Sequence, residues 1–189
     1  MLNLADIASD WTLFLDRDGV INQRPVNDYV KTVPEFRFID GVVESLASLS
    51  RLFRHIIVVT NQQGIGKGLM SSADLDVIHA YMLDEIHNGG GKINRIYYCP
   101  DLKTSRDNCR KPGQQMALQA KRDFPEIDFR KAIMVGDTNS DLLFGRKAGM
   151  FTVYVGQETP TEAFDLRFDN LAAFTQAIKD QSIQKNNHK

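Results

Sequence analysis

Five short apolar runs, rich in β-branched residues, recur along this 189-residue chain with stretches of helical periodicity between them. They are TLFL (12–15), HIIVVT (55–60), INRIYYC (93–99), KAIMVG (131–136) and MFTVYVG (150–156). Strands this short and this apolar have no polar face to offer water, so both faces must be covered. The intervening segments supply the cover. Residues 40–53 place Val42, Val43, Leu46, Leu49 and Phe53 at spacings of three and four, with Asp40 positioned as the cap. Residues 71–88 open on a serine cap and stop at Gly89-Gly90-Gly91. Segments 111–124 and 138–149 continue the series. A helix over 170–180 closes it, ahead of a polar tail, 181–189, expected to be mobile. Strand and helix in alternation predict an α/β fold, a parallel sheet with helices on both faces, in a single domain over residues 1–180.

In such a sheet ligands bind at the carboxyl ends of the strands. Three polar stretches stand there: DRDGV after the first run, TNQQG after the second and VGDTNSD after the fourth. Asp16 and Asp18 are two apart, Asp137 ends the fourth run, and Asp141 follows one helical turn later. Carboxylates crowded together raise one another's pKa unless a cation neutralises them. A hard divalent ion with oxygen ligands fits, and Mg²⁺ suits a few carboxylates, waters and a phosphate oxygen. Phosphate needs donors as well: the Thr60 hydroxyl with its loop, and Lys111 beside Arg110 near a helix start. The connection over 20–39, with Pro25 and Pro34, is long for a loop at a strand's carboxyl end, which points to a functional role.

Taken singly, each residue has a plain structural explanation. An aspartate after a strand serves as a turn residue or a cap, Asp141 as a solvated first-turn acid, and Lys111-Pro112 as a charge beside a helix-starting proline. Three strand ends carrying an acid pair, a hydroxyl loop and an acid, with a lysine in between, are harder to explain that way. GIGKG (64–68) does not make a phosphate-binding P-loop: Asn61 stands where the first glycine is required, and Gly68 where serine or threonine would hold Mg²⁺. The four histidines lack metal-ligand spacing, and aromatics such as Phe36, Phe38, Tyr97 and Tyr98 read as packing.

The balance of 23 basic and 24 acidic residues argues against a nucleic-acid or membrane-surface partner. No run approaches the roughly 20 apolar residues of a membrane span, and the acidic N-terminus lacks the basic start of a signal peptide. The expectation is a monomer in the cytoplasm, with Cys99 and Cys109 reduced.

DRDGVIN, VVTNQQGIGKG, CRKP and VGDTNSD match, in order and spacing, the four motifs of haloacid-dehalogenase-like phosphatases. Within that superfamily FLDRDGVIN, YVKTVPEFRFIDGV and TNQQGIGKG resemble the D-glycero-D-manno-heptose 1,7-bisphosphate phosphatases, relatives of the histidinol-phosphate phosphatases. The resemblance implies a Rossmann-like fold with minimal caps and a Mg²⁺-dependent phosphatase acting on a small phosphorylated sugar at its C7 phosphate. It implies Asp16 as nucleophile, Asp18 as acid and base, and Mg²⁺ held by Asp16, the Asp18 carbonyl and Asp137. Thr60 and Lys111 would bind the phosphoryl group, with Asn61, Gln62 and Arg110 near the substrate.

Many of these phosphatases carry a zinc loop, Cys-Pro-x-His to Cys-x-Cys, before the lysine motif. Here the stretch is CPDLKTSRDNCRKP, without the histidine and with Asp107 in place of a cysteine, so zinc is not expected. Thr138 stands where many relatives have lysine, and Gln63 and Lys67 where Ser and Arg are common. Two alternatives stay open: the same chemistry on another small ester such as histidinol phosphate, and a receiver-like module phosphorylated on aspartate. Receivers need no acid/base two residues after the nucleophile, and Asp18 occupies that place.

Overall fold

The structure, a computed structural model, describes residues 2–187. Six strands form one parallel sheet in the order β3-β2-β1-β4-β5-β6: β1 (Thr12–Leu15), β2 (His55–Asn61), β3 (Arg95–Cys99), β4 (Ala132–Gly136), β5 (Phe151–Val155) and β6 (Leu166–Phe168). β1 lies between β2 and β4, with Leu15 opposite Val58 on one side and Val135 on the other. The chain runs outward from β1 in both directions, and a crevice opens where that order reverses. The expected α/β sheet is the one observed.

Alternation along β1 explains why every residue of it is buried. Leu13 and Leu15 join one core with Val42 and Leu46 of α1 (Val42–Leu49), Leu75 and Ile78 of α3 (Ser72–Asn88) and Phe174 of α6 (Leu171–Asn187). Phe14 points the other way, into a core with Ile57, Val59, Met116 and Ala117 of α4 (Gln115–Asp123) and Phe144 of α5 (Asn139–Ala148). A strand with a helix layer on each face has no side to leave polar.

The element boundaries differ from expectation where backbone chemistry intervenes. The α1 cap is Gly41, in a left-handed conformation (φ 76°), rather than Asp40. α3 is as expected, with reciprocal hydrogen bonds between Ser71 and Asp74 closing a capping box. α4 starts at Gln115 rather than 111, because the preceding residues form a turn in which Gly113 N donates to Arg110 O (2.7 Å). Residues 181–187, expected as a tail, continue α6, since QSIQKNN contains neither glycine nor proline to end it; His188 and Lys189 lie outside the described residues. α2 (Gln63–Gly66) is a single turn that runs into the GIGKG stretch, and β6 is too short to show a sequence period. Phe36 from the 20–39 connection packs edge-on against Phe38 and against Tyr81 of α3, and Phe38 packs at a tilt against Tyr81, which ties this loop to the body. Among the described residues, no helix is long and apolar enough to cross a membrane.

Candidate active site

The acids meet over the middle of the sheet. Asp16 extends β1 by one residue, its N–H donating to Val135 O at 3.0 Å, and Asp137 follows β4 directly. Their approach depends on glycine. A Cβ on Gly19, whose φ is 94°, would lie 1.9 Å from Asp137 Oδ2, and one on Gly136 would lie 2.1 Å from the Asp141 Cβ. Asp16, Asp137 and Asp141 bring carboxylate oxygens within 4.8 Å of one another.

Lys111 is the counter-charge. Its Nζ reaches Asp16 Oδ1 (2.8 Å), Asp141 Oδ1 (2.6 Å) and the Val59 carbonyl (2.8 Å), which uses all three ammonium donors with 1% of the side chain exposed. Asn61 clamps the lysine's backbone: its Oδ1 accepts from Lys111 N (2.9 Å) and its Nδ2 donates to Lys111 O (3.2 Å). Asp141 is fully buried, so it is not a solvated helix-turn acid. Its other oxygen accepts from the Thr138 N–H and hydroxyl and caps α5. Burial and the charge of Asp141 push Asp16 up to about 6 against the pull of Lys111.

Asp18 stands in a different setting. Its carboxylate accepts from Arg17 Nη2 (2.9 and 3.0 Å), Asn22 Nδ2 (2.9 Å) and Gln62 Nε2 (2.8 Å). Burial raises its pKa, but the Arg17 charge and these three donors outweigh burial and hold it below the usual carboxylate range. Arg17 is itself fully buried, with Nη1 3.2 Å from His79 Nε2 on α3. Burial and the Arg17 charge push His79 down to about 3, so it is neutral and accepts this hydrogen bond. Gln62, expected at the substrate, is buried behind the site, where its amide also donates to Thr60 Oγ1 (2.8 Å). It supports Asp18 and Thr60 rather than facing the cleft.

The oxygens expected to hold Mg²⁺ converge on one point. Arg24, from the long connection after β1, places Nη2 2.8 Å from Asp137 Oδ1, 2.9 Å from Asp18 O and 3.6 Å from Asp16 Oδ2. Three hard oxygens, two of them carboxylate, face one cationic atom, which is the donor set a divalent ion such as Mg²⁺ requires. The residues present therefore fit the ion. Burial and the Asp16 charge push Asp137 up to about 8 despite Arg24.

A cleft of about 440 Å³ opens above these groups. Asp16, Asp18, Thr60, Asn61 and Lys111 lie at its floor, with Arg24, Lys67, Tyr29 and Arg110 around its walls. Lys67 Nζ sits 5.2 Å from the centre of the Tyr29 ring, and Arg110 Nη1 donates to Asp101 O (3.2 Å). These four wall residues come from loops and turns between the regular elements.

A HAD-hydrolase-like family model matches residues 108–173. The D-glycero-alpha-D-manno-heptose-1,7-bisphosphate 7-phosphatase of Mycobacterium bovis is 36% identical over 173 residues, covering 89% of this chain and 91% of its own. This chain belongs to the heptose-bisphosphate 7-phosphatase family. The D-glycero-beta-D-manno-heptose-1,7-bisphosphate 7-phosphatase of Salmonella typhi is 34% identical, with 89% of this chain and 95% of the relative covered. A crystal structure of the D,D-heptose 1,7-bisphosphate phosphatase from B. bronchiseptica, complexed with magnesium and phosphate, superposes with a TM-score of 0.81 at 28% identity. It covers 90% of this chain and 99% of that one.

One departure from the family's motifs is corrected by the structure. Cys99 and Cys109, expected as free thiols, are joined in a disulfide. The end of β3 and the returning loop bring their Cα atoms to 5.5 Å, within disulfide range, and Asp101 accepts from Cys109 N (3.0 Å) beside them. Arg24 and the Arg17–His79 pair were not singled out from the sequence, and Lys67 was noted only as standing where relatives commonly have arginine. For Arg24 the one signal was the length of the 20–39 connection.

Proposed function

We propose that this chain is a Mg²⁺-dependent phosphatase that removes the C7 phosphate of D-glycero-D-manno-heptose 1,7-bisphosphate through an aspartyl-phosphate on Asp16. One observation carries the reading: Asp16 turns Oδ2 toward the point where the oxygens of Asp137 and the Asp18 carbonyl converge, and Oδ1 toward the buried Lys111 ammonium. An anionic nucleophile attacking an anionic ester needs both. Bound Mg²⁺ would supply charge neutralisation for the carboxylate and the incoming phosphate.

In this reading an Asp16 oxygen attacks phosphorus, the bond from phosphorus to the sugar oxygen breaks, and Asp18 gives its proton to that oxygen. Water then attacks phosphorus, Asp18 takes the water's proton, and the bond to Asp16 breaks to release inorganic phosphate. Asp18 lies low in pKa beside Arg17. A phosphate arriving next to it opposes its charge and favours the protonated form that the first step uses. Thr60 binds the phosphoryl group through its hydroxyl and Lys111 through its charge, and Asn61 keeps Lys111 in place. The second phosphate of the substrate is met at the cleft wall by Arg110 and by Lys67 over Tyr29. The working unit is a single domain, monomeric and cytoplasmic.

The deciding experiment measures phosphate release with Mg²⁺ from both anomers of the heptose bisphosphate and from histidinol phosphate, with Asp16→Asn in parallel. The expected result is fast release of one phosphate equivalent from a heptose bisphosphate and none with Asp16→Asn. Release confined to histidinol phosphate would move the substrate, and a phosphoaspartate that persists with Mg²⁺ present would point to the signalling alternative.

A further inference from the structure

The Arg24 guanidinium stands at the position where the cation is expected. Its Nη2 lies within hydrogen-bond distance of Asp137 Oδ1 (2.8 Å) and Asp18 O (2.9 Å), with Asp16 Oδ2 at 3.6 Å. Mg²⁺ takes its oxygens at roughly 2.0–2.1 Å. An ion bound to these same oxygens would press against the nitrogen, charge against charge, so one point cannot hold both.

The arginine is built to reach this point and to leave it. The chain just before it is anchored: Asn22 Nδ2 donates to Asp18 Oδ1 and Gln23 O (both 2.9 Å), and Gln23 N donates to Arg37 O (2.8 Å). The side chain beyond is 42% exposed, unlike Lys111 at 1%. It also lines two clefts, the one above Asp16 and a neighbouring one beside Asp137, Tyr154 and Gly156. The head therefore has open space to retreat into without unfolding the loop.

We propose that Arg24 is an internal competitor for the metal: its guanidinium neutralises the carboxylates until the ion loads, and loading requires it to swing out. This rests on the reading that Asp16, the Asp18 carbonyl and Asp137 hold the ion. Two ligands that exclude each other from one position weaken each other equally. The arginine thus lowers the apparent cation affinity and keeps the acids together when no ion is bound.

The test titrates Mn²⁺ by electron paramagnetic resonance and Mg²⁺ by calorimetry, without substrate, into wild type, Arg24→Met, Arg24→Gln and Asp137→Asn. In parallel, the guanidinium NMR signal of Arg24, identified by its loss in either Arg24 variant, is followed as Mg²⁺ is added. The proposal expects at least tenfold tighter cation binding in both Arg24 variants, weaker binding in Asp137→Asn, and a shift of the Arg24 signal as the site saturates. Cation affinity within twofold of wild type in the Arg24 variants, or an Arg24 signal unmoved at saturation, overturns the competition while leaving the metal site intact. Absence of cation binding in wild type, or unaltered binding in Asp137→Asn, removes the metal site and the proposal together.

Discussion

Gly19 turns the chain at φ 94° directly against Asp137, and the reason for a glycine there is spatial as well as conformational. A methyl group would occupy the place of Asp137 Oδ2, and a left-handed backbone costs an ordinary residue roughly 1–2 kcal/mol. Gly19→Ala should therefore push Asp137 aside and lower kcat/KM by about a hundredfold or more. The circular dichroism of the variant should remain that of the wild type. Loss of activity with a collapsed spectrum would instead make Gly19 a folding residue. The motif DRDG showed that a glycine stands after the two acids. It did not show what the glycine makes room for, because Asp137 lies 118 positions further along the chain.

At the level of elements, the site depends on how β2 grips the loop before α4. Asn61, the last residue of β2, bonds both the N–H and the carbonyl of Lys111, a pairing that crosses 50 positions of sequence. Removing both bonds in Asn61→Ala should cost about 1–3 kcal/mol of stability. It should also lower kcat more than it raises KM, because Lys111 loses its aim rather than its charge. A denaturant titration and a Michaelis analysis read the two effects separately, and a KM effect alone would return Asn61 to direct substrate contact. The helix caps show what was legible and what was not. Ser71 and the glycines after Asn88 announced both ends of α3, whereas the start of α4 depended on a turn through Pro112 and Gly113. The two cysteines were visible as a pair, but their 5.5 Å approach follows from the pairing of β3 with β2 and the return of the loop, which spacing alone does not reveal.

For the whole molecule, the sheet order explains why so much of the floor of the site could be read in advance. Asp16, Thr60 and Asp137 follow or end apolar runs, and any parallel sheet gathers such ends on one edge. Groups that arrive from loops and helices carried no such mark: Arg24 meets Asp137 across 113 positions, and His79 meets Arg17 across 62. His79 also links the site to overall stability. Its pKa falls from 6.5 to about 3 because it is buried beside Arg17, so the unfolded chain binds a proton that the folded chain refuses. The associated stability is complete above pH 6.5 and is lost by about 1.4 kcal/mol per pH unit as pH falls toward 3. His79→Gln, which keeps an acceptor for Arg17, should remove that slope. The difference in unfolding free energy between the two proteins should be constant above pH 6.5 and change steadily below it. A parallel decline in both would assign the acid sensitivity elsewhere.

Lys111 uses its three protons on a carbonyl of β2, a carboxylate just beyond β1 and a carboxylate in the first turn of α5. These partners lie far apart in the chain, and none presents the right atom until the central strands have paired and α5 has docked. A nascent or partly folded chain thus carries the same acids and the same lysine as separate, water-covered charges without chemistry. Reactivity here is a property of the finished tertiary structure. It depends on β1, β2 and β4 having paired and on α5 having brought Asp141 to Lys111.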